Sequence, residues 1–221
     1  MDLKGLYEEL LKIHGKLEKW WPGSSEEIII SAVLTQNTNW KNVERAMENL
    51  KSKCESLENR NLLECVHMLR EDLPSLIKPA GFYNIKSQRL IALLSWMKQY
   101  EFSIEKISEK STYDLREELL SVKGIGKETA DSILLYAFEK PVFVVDAYTK
   151  RLLKRLYNTE FKDYDDYRLA FENSIEQDVR IYQEYHGLIV EHSKKYCNSK
   201  PKCNSCGLNN SCFQAKYLQN L

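Results

Sequence analysis

The sequence predicts an all-α protein, and three observations lead to this class. Apolar residues recur every three or four positions along nearly the whole chain, which is the spacing of a buried helical face. The one strand-like run, residues 142–145, is too short and isolated to build a sheet. Breaker pairs such as Pro22-Gly23 separate the periodic segments. We therefore expect helices joined by short turns.

Each of the first three helices has its own sequence signal. An apolar stripe over residues 3–17 predicts a helix that stops before the first breaker pair. Ser24 and Glu27 have the spacing of a capping box, and residues 28–34 are apolar on every side, which predicts a buried central helix. A third stripe covers residues 40–54. Further helices are expected at about 57–70, 82–99, 112–121, 127–138, 147–157, 163–177 and 179–196.

Composition limits the possible functions. The 221 residues are 43% hydrophobic, which is enough to bury the core of one domain or of two closely packed domains. The 32 basic and 32 acidic residues cancel, so any contact with nucleic acid must be local. We expect no signal peptide, and the sequence contains no apolar stretch of membrane-spanning length. We therefore expect a cytoplasmic protein with no membrane partner, in which Cys54 and Cys65 are reduced.

Four of the six cysteines are crowded near the end of the chain. They are Cys197, Cys203, Cys206 and Cys212, with the spacing C-x5-C-x2-C-x5-C. Four thiolates from one short loop suit an iron-sulfur cluster or a structural zinc, and disulfide pairing is the competing interpretation. Zinc sites usually show two C-x2-C pairs and this loop has one, so a [4Fe-4S] cluster is favoured and zinc is the alternative. Lys200 and Lys202 lie within the loop, where they could contact phosphates or simply be solvated.

A Gly-x-Gly turn joins two amphipathic segments in the middle of the chain. Two glycines one residue apart permit positive φ and a close approach of another backbone, and the helix that follows presents free amides suited to a phosphate. An ordinary turn between helices would explain the pattern equally well. The candidate phosphate-contacting residues of this turn are Lys123, Gly124, Ile125, Gly126 and Lys127.

Asp146 is the candidate catalytic carboxylate. It follows the apolar run 142–145 and precedes a predicted helix, so it is expected to be an N-cap. A carboxylate kept ionised by helix-end amides could also stabilise a developing cation or orient a water. The position alone favours the simple cap.

Taken together, these motifs resemble the endonuclease III family of helix-hairpin-helix DNA glycosylases, over nearly the whole chain. The first cysteine gap is five residues where the family commonly has six. The segments that carry the resemblance are Val33-Leu34-Thr35-Gln36-Asn37-Thr38, Val122-Lys123-Gly124-Ile125-Gly126-Lys127, Val144-Val145-Asp146, Tyr185-His186-Gly187-Leu188-Ile189-Val190 and the cysteine loop.

The resemblance implies a fold and a partner. It implies a six-helix barrel with the helix-hairpin-helix over residues 24–135, and a second helical domain from residues 1–23 and 136–221 around the iron-sulfur loop. The partner implied is double-stranded DNA containing a damaged base, and the hairpin residues 123–127 would bind its backbone. A monomer associated with the nucleoid is implied as well. Gln36 matches the residue that enters the duplex where a base is flipped out, and Phe82 matches the loop that wedges the opposite strand. A buried aromatic at a helix start is the alternative for Phe82.

Position 128 departs from the bifunctional members of that family. They carry a lysine there, which attacks the sugar and forms a Schiff base. Glu128 cannot form an imine, and whether the neighbouring Lys127 could replace the lysine is open. The departure implies a monofunctional glycosylase that leaves an abasic site. A first-turn acid favoured by the helix dipole is the plain alternative for Glu128.

Three tryptophans suggest the substrate. Trp20, Trp21 and Trp40 resemble the pocket aromatics of the 3-methyladenine glycosylases in the same superfamily. A cationic alkylated purine stacks favourably on indole, and it is a good leaving group that needs little acid catalysis. With Glu128, these residues are the predicted substrate pocket. Their alternative role is packing at helix boundaries.

Three other functions are possible on the sequence. A bifunctional glycosylase/lyase for oxidised pyrimidines would share everything but the lysine. An adenine glycosylase is disfavoured because little chain follows Cys212. A non-enzymatic iron-sulfur DNA-binding module is the alternative from another class.

Overall fold

The structure is a computed structural model that describes residues 1–55 and 60–219, and it confirms the all-α class. Within those residues the regular elements are α-helices and short 3-10 turns. The helices of the N-terminal half are α1 (Leu3–His14), α2 (Ser25–Leu34), α3 (Trp40–Glu55), α4 (Leu62–Met68), α5 (Leu73–Leu76), α6 (Tyr83–Met97) and α7 (Ile104–Ser108). The remaining helices are α8 (Thr112–Ser121), α9 (Lys127–Tyr136), α10 (Ala147–Tyr157), α11 (Tyr164–Glu172), α12 (Val179–Lys195) and α13 (Phe213–Gln219).

Long periodic helices follow the sequence prediction closely. The helices α8 and α10 begin and end where predicted. The capping box at the start of α2 is formed, since the Ser24 side chain accepts from the Glu27 amide and Glu27 accepts from the Ser24 amide. All residues from 28 to 34 are buried, as expected for a central helix.

Some helix ends and short helices were predicted wrongly. The first helix ends at His14 rather than 17, because Gly15 has φ +77° and the Leu17 amide donates to Glu184 Oε1 at 2.9 Å. The helix predicted to run to 177 ends at Glu172, because Asp178 must leave the helix to cap α12. The prediction for residues 57–59 lies outside the described part of the chain. The helices α5, α7 and α13 were missed because four, five and seven residues are too few to show a period.

The chain divides into two compact units. The first unit comprises Met1–Trp21 and Pro141–Leu221, and the second comprises Pro22–Lys140. In the first unit α12 packs against α1 and α10, and the Tyr185 hydroxyl donates to the Leu3 carbonyl at 2.8 Å. In the second unit the buried α2 packs against α3, α4, α6 and α9. Each unit therefore has its own core around one buried helix.

The strand-like run at 142–145 is extended but has no strand partner among the described residues. Its side chains are buried, and the Phe143 ring stacks on Phe171 with centroids 4.1 Å apart. Side chains replace a sheet as hydrogen-bond partners. The Phe143 amide donates to Glu172 Oε1 at 2.9 Å, and the Val145 amide donates to the Tyr164 hydroxyl at 3.2 Å. These bonds fix the direction in which the chain enters Asp146.

Cys54 and Cys65 form a disulfide, so the prediction that both are reduced was wrong. Cys54 lies near the end of α3 and Cys65 lies on α4, and these two helices pack together. Their Cα atoms are 5.9 Å apart, which is within the range that a disulfide can bridge. The sequence pattern placed each cysteine in its own helix and contained no signal that the helices meet.

Candidate active site and DNA-contacting residues

Asp146 caps α10 and has one carboxylate oxygen committed to that role. Its Oδ1 accepts from the Thr149 amide at 2.7 Å and from the Thr149 hydroxyl at 2.9 Å. Its Oδ2 lies 3.6 Å from Nε2 of His186 on α12. The Asp146 side chain is 14% exposed, so the carboxylate is largely withdrawn from water but still accessible. The cap predicted from the sequence is present, and it leaves the second oxygen for another task.

The surroundings of Asp146 keep it ionised. Burial alone raises the pKa of the carboxyl, but the His186 imidazole and the two Thr149 donors lower it by more. The pKa of Asp146 therefore lies below its usual value, and the group carries a negative charge at neutral pH. At 3.6 Å the His186 contact is longer than a hydrogen bond, so it acts through charge when the imidazole is protonated.

Trp20 and Trp21 lie close to this carboxylate within the first unit. The Trp20 ring meets the His186 ring edge-on at 5.2 Å between centroids, and its indole N–H donates to Glu191 Oε1 at 3.1 Å. Trp20 also covers Gly187, where an added Cβ would stand 2.7 Å from the indole Cγ. Trp21 packs edge-on against Trp20 and is only 7% exposed. Both tryptophans are thus integrated into the packing around α12.

Trp40 belongs to the second unit, where it begins α3 and is half-buried. Glu128 lies in the first turn of α9 and is exposed. Because it follows Gly126 and Lys127 directly, Glu128 stands at the end of the Gly-x-Gly turn. The structure places a carboxylate at this position of the hairpin and no amine.

The Gly-x-Gly segment is the turn of a helix-hairpin-helix formed by α8 and α9. Gly124 has φ +91°, a conformation that a side chain would strain, while Ile125 is buried and anchors the turn. Lys123, Gly126 and Lys127 are exposed. The arrangement presents backbone amides and lysines to solvent on a fixed loop.

A buried ion pair holds the two hairpin helices together. Arg116 on α8 donates from Nε to Asp131 Oδ1 at 2.6 Å and from Nη2 to Asp131 Oδ2 at 3.1 Å. Asp131 lies on α9 and its side chain is fully buried. A two-pronged guanidinium–carboxylate pair fixes orientation as well as distance. The hairpin is therefore rigid before it meets any ligand.

Gln36 follows the C-terminus of α2, and both ends of its amide are held. Arg89 on α6 donates from Nη1 to the Gln36 carbonyl oxygen. The Gln36 Nε2 donates to the Thr129 hydroxyl on α9 at 2.9 Å. The side chain is half-buried and lies between α6 and the hairpin. Neither partner could be predicted from the sequence.

Phe82 is exposed, which removes the buried-aromatic alternative. It precedes α6 in the left-handed conformation with φ +46°, and 65% of the residue is exposed. Ile85, one turn further along α6, is 50% exposed. Phe82 and Ile85 therefore leave two large apolar side chains exposed to solvent at the start of α6.

Lys86 is buried on the same helix and joins three segments. Its Nζ donates at 2.7 Å to the Leu34 carbonyl, at the end of α2, and at 2.7 Å to the Ala80 carbonyl, just before the Phe82 loop. Burial, together with the charge of Arg89, lowers the pKa of Lys86 to about 8. Lys86 thus ties the Gln36 segment to the Phe82 segment.

The four C-terminal cysteines line one cavity in the first unit. Cys197, Cys203, Cys206 and Cys212 are all free thiols and contribute to its wall together with residues of α10, α12 and α13. Burial raises the pKa of Cys206 and Cys212, and the neighbouring cysteines add to the effect. A bound metal cation would favour the thiolates that this environment disfavours. Within the described residues, no three metal-binding side chains are grouped in a way that would hold an ion.

Polar groups around the cavity suit sulfur ligands. Arg155 on α10 donates to the Cys197 and Asn198 carbonyls at 3.1 and 2.6 Å, and its Nη1 lies 3.5 Å from Cys197 Sγ. Nε2 of the buried His192 lies 3.3 Å from Cys206 Sγ, and burial lowers the pKa of His192 to about 4. Neutral imidazole and guanidinium donors beside thiolates are the hydrogen bonds that stabilise iron-sulfur ligation. The four cysteines with these neighbours are therefore the residues that could hold a metal or a cluster, and Lys200 and Lys202 are exposed on the loop.

Comparison with known proteins decides the family. The profile of the HhH-GPD superfamily base excision DNA repair proteins matches residues 30–177, which include the second half of α2, the hairpin and Asp146. The chain belongs to this family. A relative from Methanocaldococcus jannaschii, provisionally named a DNA repair glycosylase, is 46% identical over 215 residues, 94% of each chain. The endonuclease III of Thermotoga maritima is 28% identical over 213 residues, covering 94% of this chain and 92% of its own.

Solved structures agree with the family. The H. pylori 3-methyladenine DNA glycosylase bound to 1,N6-ethenoadenine superposes with a TM-score of 0.76 at 35% identity, covering 88% of this chain and 98% of its own. A non-covalent endonuclease III–DNA complex superposes with a TM-score of 0.78 at 21% identity, covering 99% and 97% of the two chains. The fold predicted from the sequence is thus confirmed as that of the helix-hairpin-helix glycosylases. None of the described helices is long and apolar enough to cross a bilayer.

Sequence reasoning missed three residues that the structure brings to the predicted ones. His186 faces Asp146, Arg89 holds Gln36, and Lys86 joins the Gln36 and Phe82 segments. His186 lies inside a segment that carried the resemblance, so its position could have drawn attention. Arg89 and Lys86 had no signal beyond being charged residues within an apolar helix.

Proposed function

We propose that this family member is a monofunctional glycosylase that removes an alkylated purine, 3-methyladenine-like, from double-stranded DNA and leaves an abasic site. The proposal rests on two features of the chain taken together, an ionised Asp146 and a glutamate rather than a lysine at position 128. The first supplies the charge that base release needs, and the second removes the amine that strand cleavage needs.

Asp146 would act on the sugar. When the glycosidic bond breaks, its electron pair leaves with the base and the anomeric carbon becomes positively charged. A carboxylate fixed by Thr149 would stabilise that charge without reorganising, and its free Oδ2 could take the proton from the water that adds to the carbon. His186 would then hold the side chain while the site is empty.

The substrate assignment is supported by the tryptophans and by one neighbour. The H. pylori glycosylase, 35% identical, is a 3-methyladenine enzyme whose structure holds an ethenoadenine. Trp20 and Trp21 are locked into the packing around α12, so they would form the fixed wall of a base pocket. Trp40, half-buried at the start of α3, would be the residue that stacks on the base.

Residues of the second unit would make several of the proposed contacts with DNA. We propose that Gln36 fills the gap left by the flipped base, that Phe82 wedges the opposite strand and that the residues 123–127 grip the backbone. The 65% exposure of Phe82 supports its part, because an exposed aromatic on a left-handed residue is poorly explained by folding alone. Filling the stack offsets the few kcal/mol that unstacking a base costs, by the magnitude in.

The cysteine loop would hold a [4Fe-4S] cluster, with zinc as the alternative. Cys197, Cys203, Cys206 and Cys212 would be its ligands, and Lys200 and Lys202 would face DNA phosphates. Such a cluster can transfer electrons, but here it would serve to fix the loop. Arg155 would hold the start of the loop by its two carbonyl contacts whether or not metal is bound.

The test uses duplexes that each carry one lesion: 3-methyladenine as its stable 3-deaza analogue for binding, 1,N6-ethenoadenine, thymine glycol and an unmodified control. Incubation is followed by analysis with and without hot alkali. We expect breaks at the alkylated purine only after alkali, because the protein leaves an intact abasic strand. Breaks without alkali would contradict the monofunctional assignment, and cleavage only at thymine glycol would contradict the substrate assignment.

The second candidate is a bifunctional glycosylase/lyase for oxidised pyrimidines. It is favoured by one observation, the exposed Lys127 directly before Glu128. Borohydride reduction in the presence of damaged DNA would trap a Schiff base if Lys127 attacked the sugar. We expect no covalent adduct with the wild-type protein. An adduct that Lys127→Gln abolishes and Lys123→Gln retains would establish this second function.

A further inference from the structure

Arg89 is a cation whose partner in the free protein is neutral. Its guanidinium donates to the amide oxygen of Gln36 and forms no ion pair with any described residue. The residue is half-buried, so part of its hydration has already been lost. A guanidinium in this situation retains most of its capacity to bind an anion.

The hairpin turn holds Arg89 in place. A Cβ added at Gly124 would stand 2.3 Å from Arg89 Cγ, 3.0 Å from Cδ and 3.1 Å from Nε. The aliphatic stem therefore lies directly on the backbone of the Gly-x-Gly turn, where φ +91° also excludes a side chain. Because Gly124 has no side chain, α6 can pack this closely against the hairpin. The guanidinium therefore lies beside the backbone amides that are expected to receive a phosphate.

A second uncompensated cation lies one turn earlier on the same helix. Lys86 donates to two backbone carbonyls, Leu34 and Ala80, and it too has no carboxylate partner in the described part of the chain. Two positive charges three residues apart on α6 raise the local electrostatic potential. This surface is one to which a polyanion would be drawn.

We propose that Arg89 is a positioning residue that exchanges partners when DNA binds: it holds the Gln36 side chain in the free protein and bonds a DNA backbone phosphate at the hairpin once Gln36 enters the duplex. The proposal rests on the proposed function, because it takes DNA as the ligand and Gln36 as the inserted residue. The chemistry of the exchange is favourable, since a phosphate oxygen is a stronger acceptor for a guanidinium than a neutral amide oxygen. The phosphate contact would thus stabilise the state in which Gln36 is inserted. Binding to a site that lacks a base would in this way be coupled to an additional contact with the DNA backbone.

The test measures how DNA affinity depends on salt. A labelled duplex carrying a tetrahydrofuran abasic analogue, which cannot be processed, is compared with the same duplex undamaged over a series of KCl concentrations. Each phosphate contact contributes about one unit to the slope of log Kd against log salt. Arg89→Gln should reduce that slope by about one on the abasic duplex and leave it unchanged on the undamaged duplex. Arg89→Lys, which retains the charge, should keep the wild-type slope.

Two further variants make the outcome unambiguous. Arg60→Gln is the matched control, because Arg60 is already paired with Glu64 at 2.7 Å, and both of its slopes should equal those of wild type. Gln36→Ala frees the guanidinium without altering Arg89, so the slope on undamaged duplex should steepen by about one, even if Arg89→Gln folds poorly. An unchanged slope for Arg89→Gln on the abasic duplex overturns the proposal. An equal loss on both duplexes overturns the exchange with Gln36.

Because the abasic analogue is not a substrate, these slopes do not depend on the proposed glycosylase activity. A protein that excises no lesion but shows the expected slopes would contradict the proposed function and support the exchange. A protein that excises an alkylated purine but whose slopes are unaffected by Arg89→Gln would support the proposed function and contradict the exchange.

Discussion

A charged site in the first unit and one in the second are supported in opposite ways. In the first unit Asp146 is surrounded by donors, and its negative charge is held by Thr149 and His186. In the second unit Lys86 and Arg89 are positive and are given only neutral acceptors among the described residues. A fully supported anion suits a group that must meet a transient cation. Cations left without an anion suit a surface whose anion arrives with the ligand.

Packing shows the same difference. The first unit surrounds its charge with ring contacts, as Trp20 meets both His186 and Trp21. In the second unit, Phe82 and Ile85 are exposed at the start of α6, the helix that carries Lys86 and Arg89. The Asp146 site is thus enclosed by its own rings, whereas the Arg89 site leaves apolar side chains exposed to solvent.

Loss of a cysteine ligand should have the largest effect. If the loop holds a four-iron cluster, the purified protein should be yellow-brown, and Cys203→Ser should give colourless, insoluble or poorly DNA-binding protein. Visible absorption and iron analysis check this. The double variant Cys54→Ser/Cys65→Ser, which removes the disulfide outside the loop, should keep its colour. A colourless wild-type protein with stoichiometric zinc and no iron would show that the cofactor is zinc.

The substitution Asp146→Asn should have the second-largest effect. Removing the charge at a site of developing positive charge should slow base release by on the order of a hundredfold or more, while DNA affinity stays nearly intact. Single-turnover excision and equilibrium binding measure the two quantities. Asp178→Asn is the control, because Asp178 caps α12 by accepting from the Ile181 amide at 2.9 Å and has no proposed role in chemistry. Rate and affinity that fall together would identify Asp146 as a structural cap only.

Trp40→Ala should have a smaller and more selective effect. Stacking in a desolvated pocket is worth about 1 to 3 kcal/mol per base, so excision of a cationic methylpurine should fall by more than the loss of folded protein explains. Trp96→Ala removes a buried indole of the same unit that bonds Glu118, and it should lower the melting temperature without changing excision per folded molecule. If Trp40→Ala behaves like Trp96→Ala, Trp40 belongs to the core and the alkylpurine assignment loses its main support.

The sequence could predict structural features that are formed by residues close together along the chain. The capping box at Ser24 and the Asp146 cap lie within three residues of their partners, so their spacing is readable. What it could not predict depends on helices that meet in space. The Arg89–Gln36 contact spans 53 positions and the Asp146–His186 contact joins α10 to α12, and neither leaves a periodic pattern. The disulfide failed as a prediction for the same reason.

The smallest expected effect concerns the pH dependence of stability. It tests whether the charge of Lys86 lacks a compensating anion. Burial, with the charge of Arg89 added, lowers its pKa from 10.5 to about 8 in the folded protein. Between about pH 8 and the usual lysine pKa of 10.5, Lys86 is mostly deprotonated in the folded protein but still protonated in the unfolded chain. Because stability rises with pH wherever the unfolded state binds more protons, Lys86 should make the protein more stable as pH increases between these two values.

The measurement is the free energy of urea unfolding of wild type and Lys86→Met across this alkaline range. Subtracting the two curves cancels the other titrating groups, and the difference should change in favour of wild type by on the order of 1 to 3 kcal/mol, at about 1.4 kcal/mol per unit of pKa shift. Lys106→Met, at an exposed lysine paired with Glu101, should leave a flat difference. A flat difference for Lys86→Met as well would mean that the two carbonyl acceptors stabilise the ammonium as fully as water does. Lys86 would then be an ordinary helix tether, and the uncompensated charge of the second unit would rest on Arg89 alone.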